Sequence, residues 1–256
     1  MIAGSDRIEL KSGREIEILH RANEMVLAVL EELKTMVRPG VSTGELDRFA
    51  EQSIRDRGGR PAFKGYRGFP ATLCTSINDE IVHGIPSDRI RVADGDLLSV
   101  DCGVVLDGFF GDAAISFGIG DVNGVAGRLM EITKACLDDA VEQVRPGNRL
   151  GDVGAAVQAR AEQAGFGVVR EFVGHGIGRA LHEEPQVPNY GSAGRGQVMK
   201  PGLVIAIEPM ITAGSWRVKV DDDGWTARTE DGKLAAHFEF SVAVTPDGHR
   251  VLGLEG

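Results

Sequence analysis

The chain has 256 residues, of which 42% are hydrophobic and 26% are charged, and its formal net charge is −10. This composition is typical of a globular protein with a sizeable core, and the acidic balance argues against nucleic acid or an anionic membrane surface as a direct partner. The three cysteines, Cys74, Cys102 and Cys136, form no CxxC pair, which indicates a reducing compartment and neither a zinc-thiolate site nor a redox pair. We expect a cytoplasmic protein, because the first residues lack a signal-peptide pattern and no apolar run approaches the length of a membrane span.

Taken in chain order, the pattern predicts two helices, a set of strands, two more helices and a second set of strands. Apolar residues recur at helical spacing in the helical segments, and Ser42 stands three residues before Glu45, as in a capping box. In the strand segments, short apolar runs alternate with turn residues such as Asp107-Gly108, which is typical of antiparallel sheet. The predicted helices span residues 14–37, 42–57, 122–144 and 150–164, and the strands fall within 62–118 and 167–252.

This layout occurs twice because parts of the sequence repeat at a spacing of 107 residues. The repeated pairs are Arg38-Pro39-Gly40 with Arg145-Pro146-Gly147, Gly95 with Gly202, and Asp101 with Glu208. We therefore predict a single α+β domain over residues 1–256. Its two halves, about 14–118 and 121–252, would be related by a pseudo-twofold axis.

Four carboxylates stand out because they lie within apolar strands. Asp101 and Glu208 occupy equivalent places in the repeat. Asp112 lies on the strand after Asp101, and Glu239 has a phenylalanine on each side. A carboxylate in such a position is costly unless it is paired, protonated or bound to a cation. We expect the four to share one site between the two halves.

Three of the six histidines are also predicted to belong to a site. His175 has a glycine on each side, which lets backbone and ligands approach closely, and His83 precedes Gly84. His182 follows His175 by seven residues. The other three, His20, His237 and His249, are predicted to be ordinary core or surface residues.

This set of carboxylates with one imidazole has the ligand chemistry of divalent metal ions. It suits two ions such as Mn, Fe, Co or Zn. Two ions about 3.5–4 Å apart can share a water molecule and lower its pKa towards neutrality, which provides hydroxide as a nucleophile. The residues therefore predict metal-assisted hydrolysis, and spacing alone leads no further.

An ordered set of motifs extends over nearly the whole chain. In order they are Cys74-Thr75-Ser76-Ile77-Asn78, His83-Gly84-Ile85-Pro86, Gly95-Asp96, Asp101, Gly111-Asp112, Gly174-His175-Gly176-Ile177-Gly178, His182-Glu183-Glu184-Pro185, Glu208-Pro209-Met210 and Glu239. In this order they resemble the type I methionine aminopeptidases, in the compact bacterial form. The resemblance implies the pita-bread fold shared by creatinases and aminopeptidases.

The resemblance also assigns roles to the site residues. The implied ligands of two divalent ions are Asp101, Asp112, His175, Glu208 and Glu239. Glu208 would also take the proton from the attacking water. His182 would hydrogen-bond the scissile carbonyl or the developing oxyanion, and His83 would contact the substrate beyond the scissile bond. The substrate's free amine would bind one metal ion, which limits cleavage to the first residue.

The methionine side chain would enter an apolar pocket, and some residues near it depart from the family pattern. The implied pocket residues are Phe63, Tyr66, Phe69, Cys74, Leu181 and Trp225. Leu181 stands where an aromatic residue is common, which predicts a wider pocket. Gly103 and Ala113 stand where threonine is frequent, and Phe240 where a polar residue is usual. These three predict lost hydrogen bonds behind the ligands, an adjustment of about 10–100-fold in metal affinity or rate.

The expected activity is removal of the N-terminal methionine from nascent proteins whose second residue is small. The expected partners are nascent polypeptides and the ribosome, and the expected state is a monomer. Because its own second residue is Ile2, the chain's Met1 is predicted to be retained.

Three alternatives are weaker. An X-Pro aminopeptidase or prolidase would need a separate amino-terminal domain, yet the catalytic motifs begin by residue 74. A type II enzyme would need an insertion, yet 25 residues separate His182 from Glu208. A binding module of the same fold that has lost catalysis would lack ligands, and all five are present.

Overall fold

The computed structural model describes residues 8–255, so the prediction for Met1 and Ile2 lies outside the described residues. The four α-helices are α1 (Gly13–Met36), α2 (Thr43–Asp56), α3 (Gly124–Val141) and α4 (Leu150–Gln163), close to the predicted bounds. The capping box of α2 is confirmed, since Ser42 Oγ accepts from the Glu45 N–H and the Ser42 N–H donates to the Glu45 side chain. No helix within the described residues is long and apolar enough to cross a membrane.

The strands pair in antiparallel fashion, as predicted, in three sheets. They are β1 (Arg60–Pro61), β2 (Leu73–Ile77), β3 (Glu80–Val82), β4 (Leu97–Leu106), β5 (Phe109–Gly118), β6 (Gly167–Val168), β7 (Gly174–Gly176), β8 (Glu183–Val187), β9 (Val204–Ile207), β10 (Met210–Thr212), β11 (Val218–Val220), β12 (Ala227–Thr229), β13 (Ala235–His237), β14 (Glu239–Thr245) and β15 (Gly248–Val251). The main sheet has nine strands and runs in the order β1-β4-β5-β14-β9-β7-β8, with β2 paired to β4 and β15 to β14.

The two longest strands form a hairpin that sets the register of the main sheet. Leu106 of β4 pairs with Phe109 of β5, so the connection contains only Asp107 and Gly108. Both have positive φ angles, 50° and 81°, which is the type I′ geometry that matches the twist of the flanking strands. The predicted turn is therefore confirmed, and the register that follows from it holds along both strands.

Hydrogen bonds repeat between the halves at the spacing seen in the sequence. The Gly40 N–H donates to Val92 O at 2.8 Å, and the equivalent Gly147 N–H donates to Met199 O at 3.0 Å. Both glycines have φ angles near 90°, in the left-handed region that other residues rarely adopt. The Arg-Pro-Gly motif thus fixes the same helix-to-helix junction twice, between α1 and α2 and between α3 and α4.

The helices cover one face of the main sheet. Val100 and Val104 of β4 pack against α1 and α2, and Ile205 of β9 packs in a second cluster with α3 and α4. Since side chains alternate across a strand, the intervening residues of β4 and β9 face the other side of the sheet. That opposite face carries the site.

Candidate metal centre and substrate cavity

The five predicted ligands lie on one face of five neighbouring strands. Asp101 in β4 pairs with Ala114, and Asp112 in β5 pairs with Gly103, so the two carboxylates are diagonal neighbours on the same face. Ala114 also pairs with Glu239 of β14. His175 of β7 pairs with Ala206, two residues before Glu208 at the end of β9. The order β4-β5-β14-β9-β7 therefore brings the five residues to one place, from both halves of the chain.

The distances at this place suit a shared cation. One donor atom from each of Asp112, His175 and Glu239 lies within 4.8 Å of the others. His175 Nε2 is 4.0 Å from Asp112 Oδ2 and 3.6 Å from Glu208 Oε1. The Asp112, His175 and Glu239 side chains are buried, while Glu208 retains 14% of its side-chain exposure.

The carboxylates lie close to one another in a buried site, which changes their pKa values. Burial raises the pKa of Asp101 to about 7. Burial, then the neighbouring carboxylates Glu239 and Asp101, raises the pKa of Asp112 well above its usual range. Burial, followed by neighbouring carboxylates, likewise raises the pKa of Glu208 and of Glu239. Burial lowers the pKa of His175 to about 4, which keeps its imidazole neutral at pH 7. Four acids and a neutral imidazole form a donor set that a divalent cation would stabilise.

Several of the carboxylate oxygens that could bind a metal ion have no hydrogen-bond partner, which is consistent with a cation site. Among the described residues, nothing pairs with Asp101 Oδ1, Asp112 Oδ1 or Glu239 Oε1, although all three atoms are buried. Leaving buried carboxylate oxygens unpaired is costly unless a ligand compensates. The residues present therefore fit divalent metal ions.

Steric crowding explains why position 103 carries glycine, the departure from the family pattern noted in the sequence. A Cβ at this position would lie 2.5 Å from Cε1 of Phe63 and 2.9 Å from the Cβ of Ala62. The Phe63 ring, which lines the cavity, occupies the space that a larger residue at position 103 would need. Gly103 also pairs with Asp112 across the sheet. Position 103 therefore lies between the pocket residue Phe63 and a residue of the candidate metal centre.

The two predicted catalytic histidines, His83 and His182, both line the cavity. The ring of His182 is 4.2 Å from that of His175, and its Nδ1 is 2.8 Å from the Tyr66 hydroxyl. The ring of His83 contacts Phe172 edge-on at 5.3 Å. Partial burial lowers the pKa of His83 to about 4.

The six predicted pocket residues line one cavity of about 150 Å³ together with the five predicted ligands, His83 and His182. Phe63, Phe69, Cys74 and Leu181 belong to one buried cluster, and Tyr66 and Trp225 pack against it. The Phe69 and Trp225 rings meet edge-on at 5.1 Å. An apolar cavity beside a group of carboxylates can hold an apolar side chain of a ligand. The polar group next to that side chain then lies at the carboxylates.

The segment that carries His182 is held by the amino-terminal part of the chain. Lys11, which is buried, donates to Glu183 Oε2 at 2.6 Å. The other oxygen of Glu183 accepts from the Arg179 N–H at 2.7 Å and the Ala180 N–H at 3.0 Å. The Lys11 N–H donates to Gly202 O at 2.6 Å. Residue 11 therefore connects the His182 segment to the loop before β9.

Three residues of this region were not expected from the sequence. Arg67 lines the cavity with a φ of 50°, and its guanidinium lies 5.3 Å from the Tyr66 ring centroid. Phe172 contacts His83. His237, predicted to be an ordinary core or surface histidine, is buried, but its Nε2 has no hydrogen-bond partner among the described residues and lies 4.0 Å from Glu208 Oε2. Only the position of His237, two residues before Glu239, could have pointed to it.

A repeated helix–helix–sheet fold with carboxylates gathered beside an apolar cavity is the architecture of a metal-dependent peptidase. The chain belongs to metallopeptidase family M24, whose family model matches residues 17–246. It is 48% identical over 247 residues to the methionine aminopeptidase of Clostridium perfringens, a match that covers 96% of this chain and 99% of that protein.

The comparisons with solved structures agree. The chain superposes on the methionine aminopeptidase from Thermotoga maritima with a TM-score of 0.96 and 40% identity, covering 97% of this chain and 100% of that one. The prolidase from Pyrococcus horikoshii shares the fold alone, with a TM-score of 0.77 and 22% identity over 96% of this chain and 64% of that one. The predicted pita-bread fold is confirmed.

Proposed function

We propose that this protein is a methionine aminopeptidase that removes the N-terminal methionine from polypeptides whose second residue is small. The observation that carries the proposal is the position of the five ligand candidates, on one sheet face and beside an apolar cavity. The similarity to methionine aminopeptidases over nearly the full length of this chain supports it. The preference for a small second residue rests on the resemblance.

The proposed metal ligands are Asp101, Asp112, His175, Glu208 and Glu239. The donor set suits two divalent ions, and Mn, Fe, Co and Zn are all compatible with it. When bound, the ions would supply the Lewis acidity that lowers the pKa of water and polarises the scissile carbonyl. The unpaired oxygens of Asp101, Asp112 and Glu239 support this assignment.

Glu208 is the proposed base. Its Oε1 faces His175 and its Oε2 lies on the side of His237, so the two oxygens have different surroundings. Oε1 can stay beside the His175 imidazole while Oε2 accepts the proton of the attacking water and returns it to the leaving amine.

His182 is the proposed donor to the scissile carbonyl. If the Tyr66 hydroxyl donates to Nδ1, the neutral imidazole carries its proton on Nε2. That N–H is then available to the carbonyl oxygen as negative charge develops there, which preferentially stabilises the transition state. His83, which also lines the cavity, would contact the next residue of the substrate.

The Met side chain would occupy the cavity lined by the six pocket residues, which positions the first peptide bond at the carboxylates. In the cell, the proposed substrates are nascent polypeptides at the ribosome, in the cytoplasm, and the proposed active form is a monomer. The three buried cysteines are free, which suits a reducing compartment.

The test is metal-dependent release of methionine from Met-Ala-Ser by protein that has been stripped of metal and reloaded separately with Co, Mn, Fe or Zn. Met-Leu-Ser and Ala-Pro-Ala run beside it, and Glu208→Gln is the catalytic control. We expect release from Met-Ala-Ser, little from the other two peptides, and a loss of about 10²–10⁴-fold in Glu208→Gln.

Two outcomes would contradict the proposal. Cleavage of Ala-Pro-Ala alone would assign the protein to the proline-specific enzymes of this fold. Metal binding without turnover of any peptide would favour a binding module.

A further inference from the structure

His237 is a buried histidine whose backbone is fixed by a pair of serines. It ends β13, and only 2% of it is exposed. Its N–H donates to Ser116 Oγ at 2.9 Å, and the Ser116 hydroxyl donates to its carbonyl at 2.7 Å. A second buried hydroxyl, Ser99 Oγ, lies 2.7 Å from Ser116 Oγ. This arrangement leaves the backbone of His237 little freedom.

The imidazole of His237 is directed towards Glu208 by the strand register. His237 pairs with Met210 of β10, two residues after Glu208, and the Phe238 N–H donates to Pro209 O at 3.4 Å. His237 Nε2 lies 4.0 Å from Glu208 Oε2 and has no hydrogen-bond partner among the described residues. Burying an unpaired imidazole nitrogen costs free energy that an apolar side chain of similar size would avoid.

The two oxygens of Glu208 are each flanked by one imidazole. Oε1 faces His175 Nε2 at 3.6 Å, and Oε2 faces His237 Nε2 at 4.0 Å. His175 lines the cavity and His237 does not, so His237 approaches the carboxylate from behind. A carboxylate oxygen has two lone-pair directions, so Oε2 can accept from His237 and still accept a proton from the cavity side.

We propose that His237 is a positioning residue: a small shift that shortens the 4.0 Å separation to hydrogen-bond length lets its Nε2–H donate to Glu208 Oε2 and fix the plane of that carboxylate. The inference rests on the proposed function, in which Glu208 is both ligand and base. The hydrogen bond would hold Oε1 towards His175 and stop the carboxylate from rotating away from the attacking water. His237 acts through Glu208 and does not touch the substrate.

The experiment compares His237→Gln, which retains an N–H donor, with His237→Leu, which is apolar and of similar length. We expect His237→Leu to lower kcat about 10-fold or more and to weaken cobalt binding by a similar factor. KM for Met-Ala-Ser should change little, because the pocket is untouched. His237→Gln should restore most of both kcat and cobalt affinity.

Two controls separate a donor from a packing residue. His20→Leu removes another buried histidine, in α1, and should change thermal stability without changing cobalt affinity. In a Glu208→Ala background, which removes the acceptor oxygens, His237→Leu should weaken cobalt binding no further, because the partner of the proposed bond is gone.

Equal impairment of His237→Gln and His237→Leu would overturn the proposal, because volume rather than donation would then matter. Wild-type behaviour of a folded His237→Leu would overturn it as well. If the wild-type protein releases no methionine, the proposed function fails. The cobalt affinities still decide whether His237 and Glu208 are coupled.

Discussion

The Tyr66 hydroxyl lies 2.8 Å from Nδ1 of His182, and the two rings stack with centroids 5.3 Å apart. A pocket residue thereby orients a residue assigned to the scissile carbonyl. With the proposed roles, a methionine side chain packed against Tyr66 would contact the residue that orients His182, so recognition of the side chain and activation of the carbonyl would be coupled.

This link predicts the effect of removing the hydroxyl alone. Tyr66→Phe keeps the ring stack and loses a hydrogen bond worth about 1 kcal/mol, so we expect kcat on Met-Ala-Ser to fall about fivefold. In a His182→Ala background the same change should have almost no effect. Steady-state kinetics of the four variants measure this coupling, and additive losses would show that Tyr66 acts without His182.

The pocket wall at Leu181 predicts the selectivity of the enzyme. Leu181 is buried where an aromatic residue is common in the resembled family, so the wild type should accept ethionine, which is longer than methionine by one methylene. Leu181→Phe should lower kcat/KM for an ethionine peptide about tenfold more than for the methionine peptide. Leu181→Met, which conserves volume, should keep the wild-type ratio. A ratio unaffected by Leu181→Phe would place the end of the substrate side chain elsewhere.

The contact between Phe63 and position 103 predicts a compensated pair. Gly103→Thr alone should lower stability by about 1–3 kcal/mol, because the new Cβ overlaps the Phe63 ring. In a Phe63→Ala background, Gly103→Thr should cost much less than it does in the wild type, whereas in a Phe69→Ala background its cost should be unchanged. Urea unfolding of the single and double variants measures this coupling. If Gly103→Thr cost the same in the Phe63→Ala background as in the wild type, the steric account would be wrong.

The raised pKa of Asp101 predicts how the metal-free protein responds to pH. Burial raises this pKa from 3.8 to about 7, so the folded state binds the proton more tightly than the unfolded state. The stabilisation from this group is complete below pH 3.8 and is lost as the pH rises to about 7. Metal-free Asp101→Asn should therefore be more stable than metal-free wild type at pH 8, by a few kcal/mol at about 1.4 kcal/mol per pKa unit.

The difference should shrink towards pH 4 and close below pH 3.8, where the wild-type carboxyl is protonated in both states. Denaturant unfolding over a pH series in the presence of a chelator measures it. A gap that stayed constant with pH would mean that Asp101 does not titrate in this range. Saturating metal should reverse the order of the two proteins at pH 8, since Asp101 is a proposed ligand.

The fold and the membership of the site were accessible from the sequence because they depend on periodic and local signals. The Arg-Pro-Gly repeat marks equivalent junctions, and the Asp107-Gly108 turn fixes which residues of β4 face the site. Since the side-chain period of a strand is two residues, one turn decides the position of Asp101 and Asp112 together. The repeat and the apolar surroundings of the carboxylates thus predicted a shared site, whereas the full set of five ligands followed only from the resemblance.

Contacts between segments that are distant in the sequence were not accessible in this way. No local pattern shows that Phe63 fills the space beside Gly103, or that His237 lies behind Glu208. Arg67 lines the cavity and has a left-handed backbone conformation, which the neighbouring sequence does not predict. These relationships arise from the packing of side chains across sheets, which depends on the three-dimensional arrangement rather than on spacing.

The ion pair between Lys11 and Glu183 joins the amino-terminal segment to the segment that carries His182, a proposed catalytic residue. Cutting the chain after Lys11 would leave a largely buried Glu183 carboxylate without its cation, one residue from His182. A preparation in which some molecules had lost these first residues would contain two populations with the same ligands and different turnover. Specific activity, normalised to bound metal, would then report the integrity of the amino terminus.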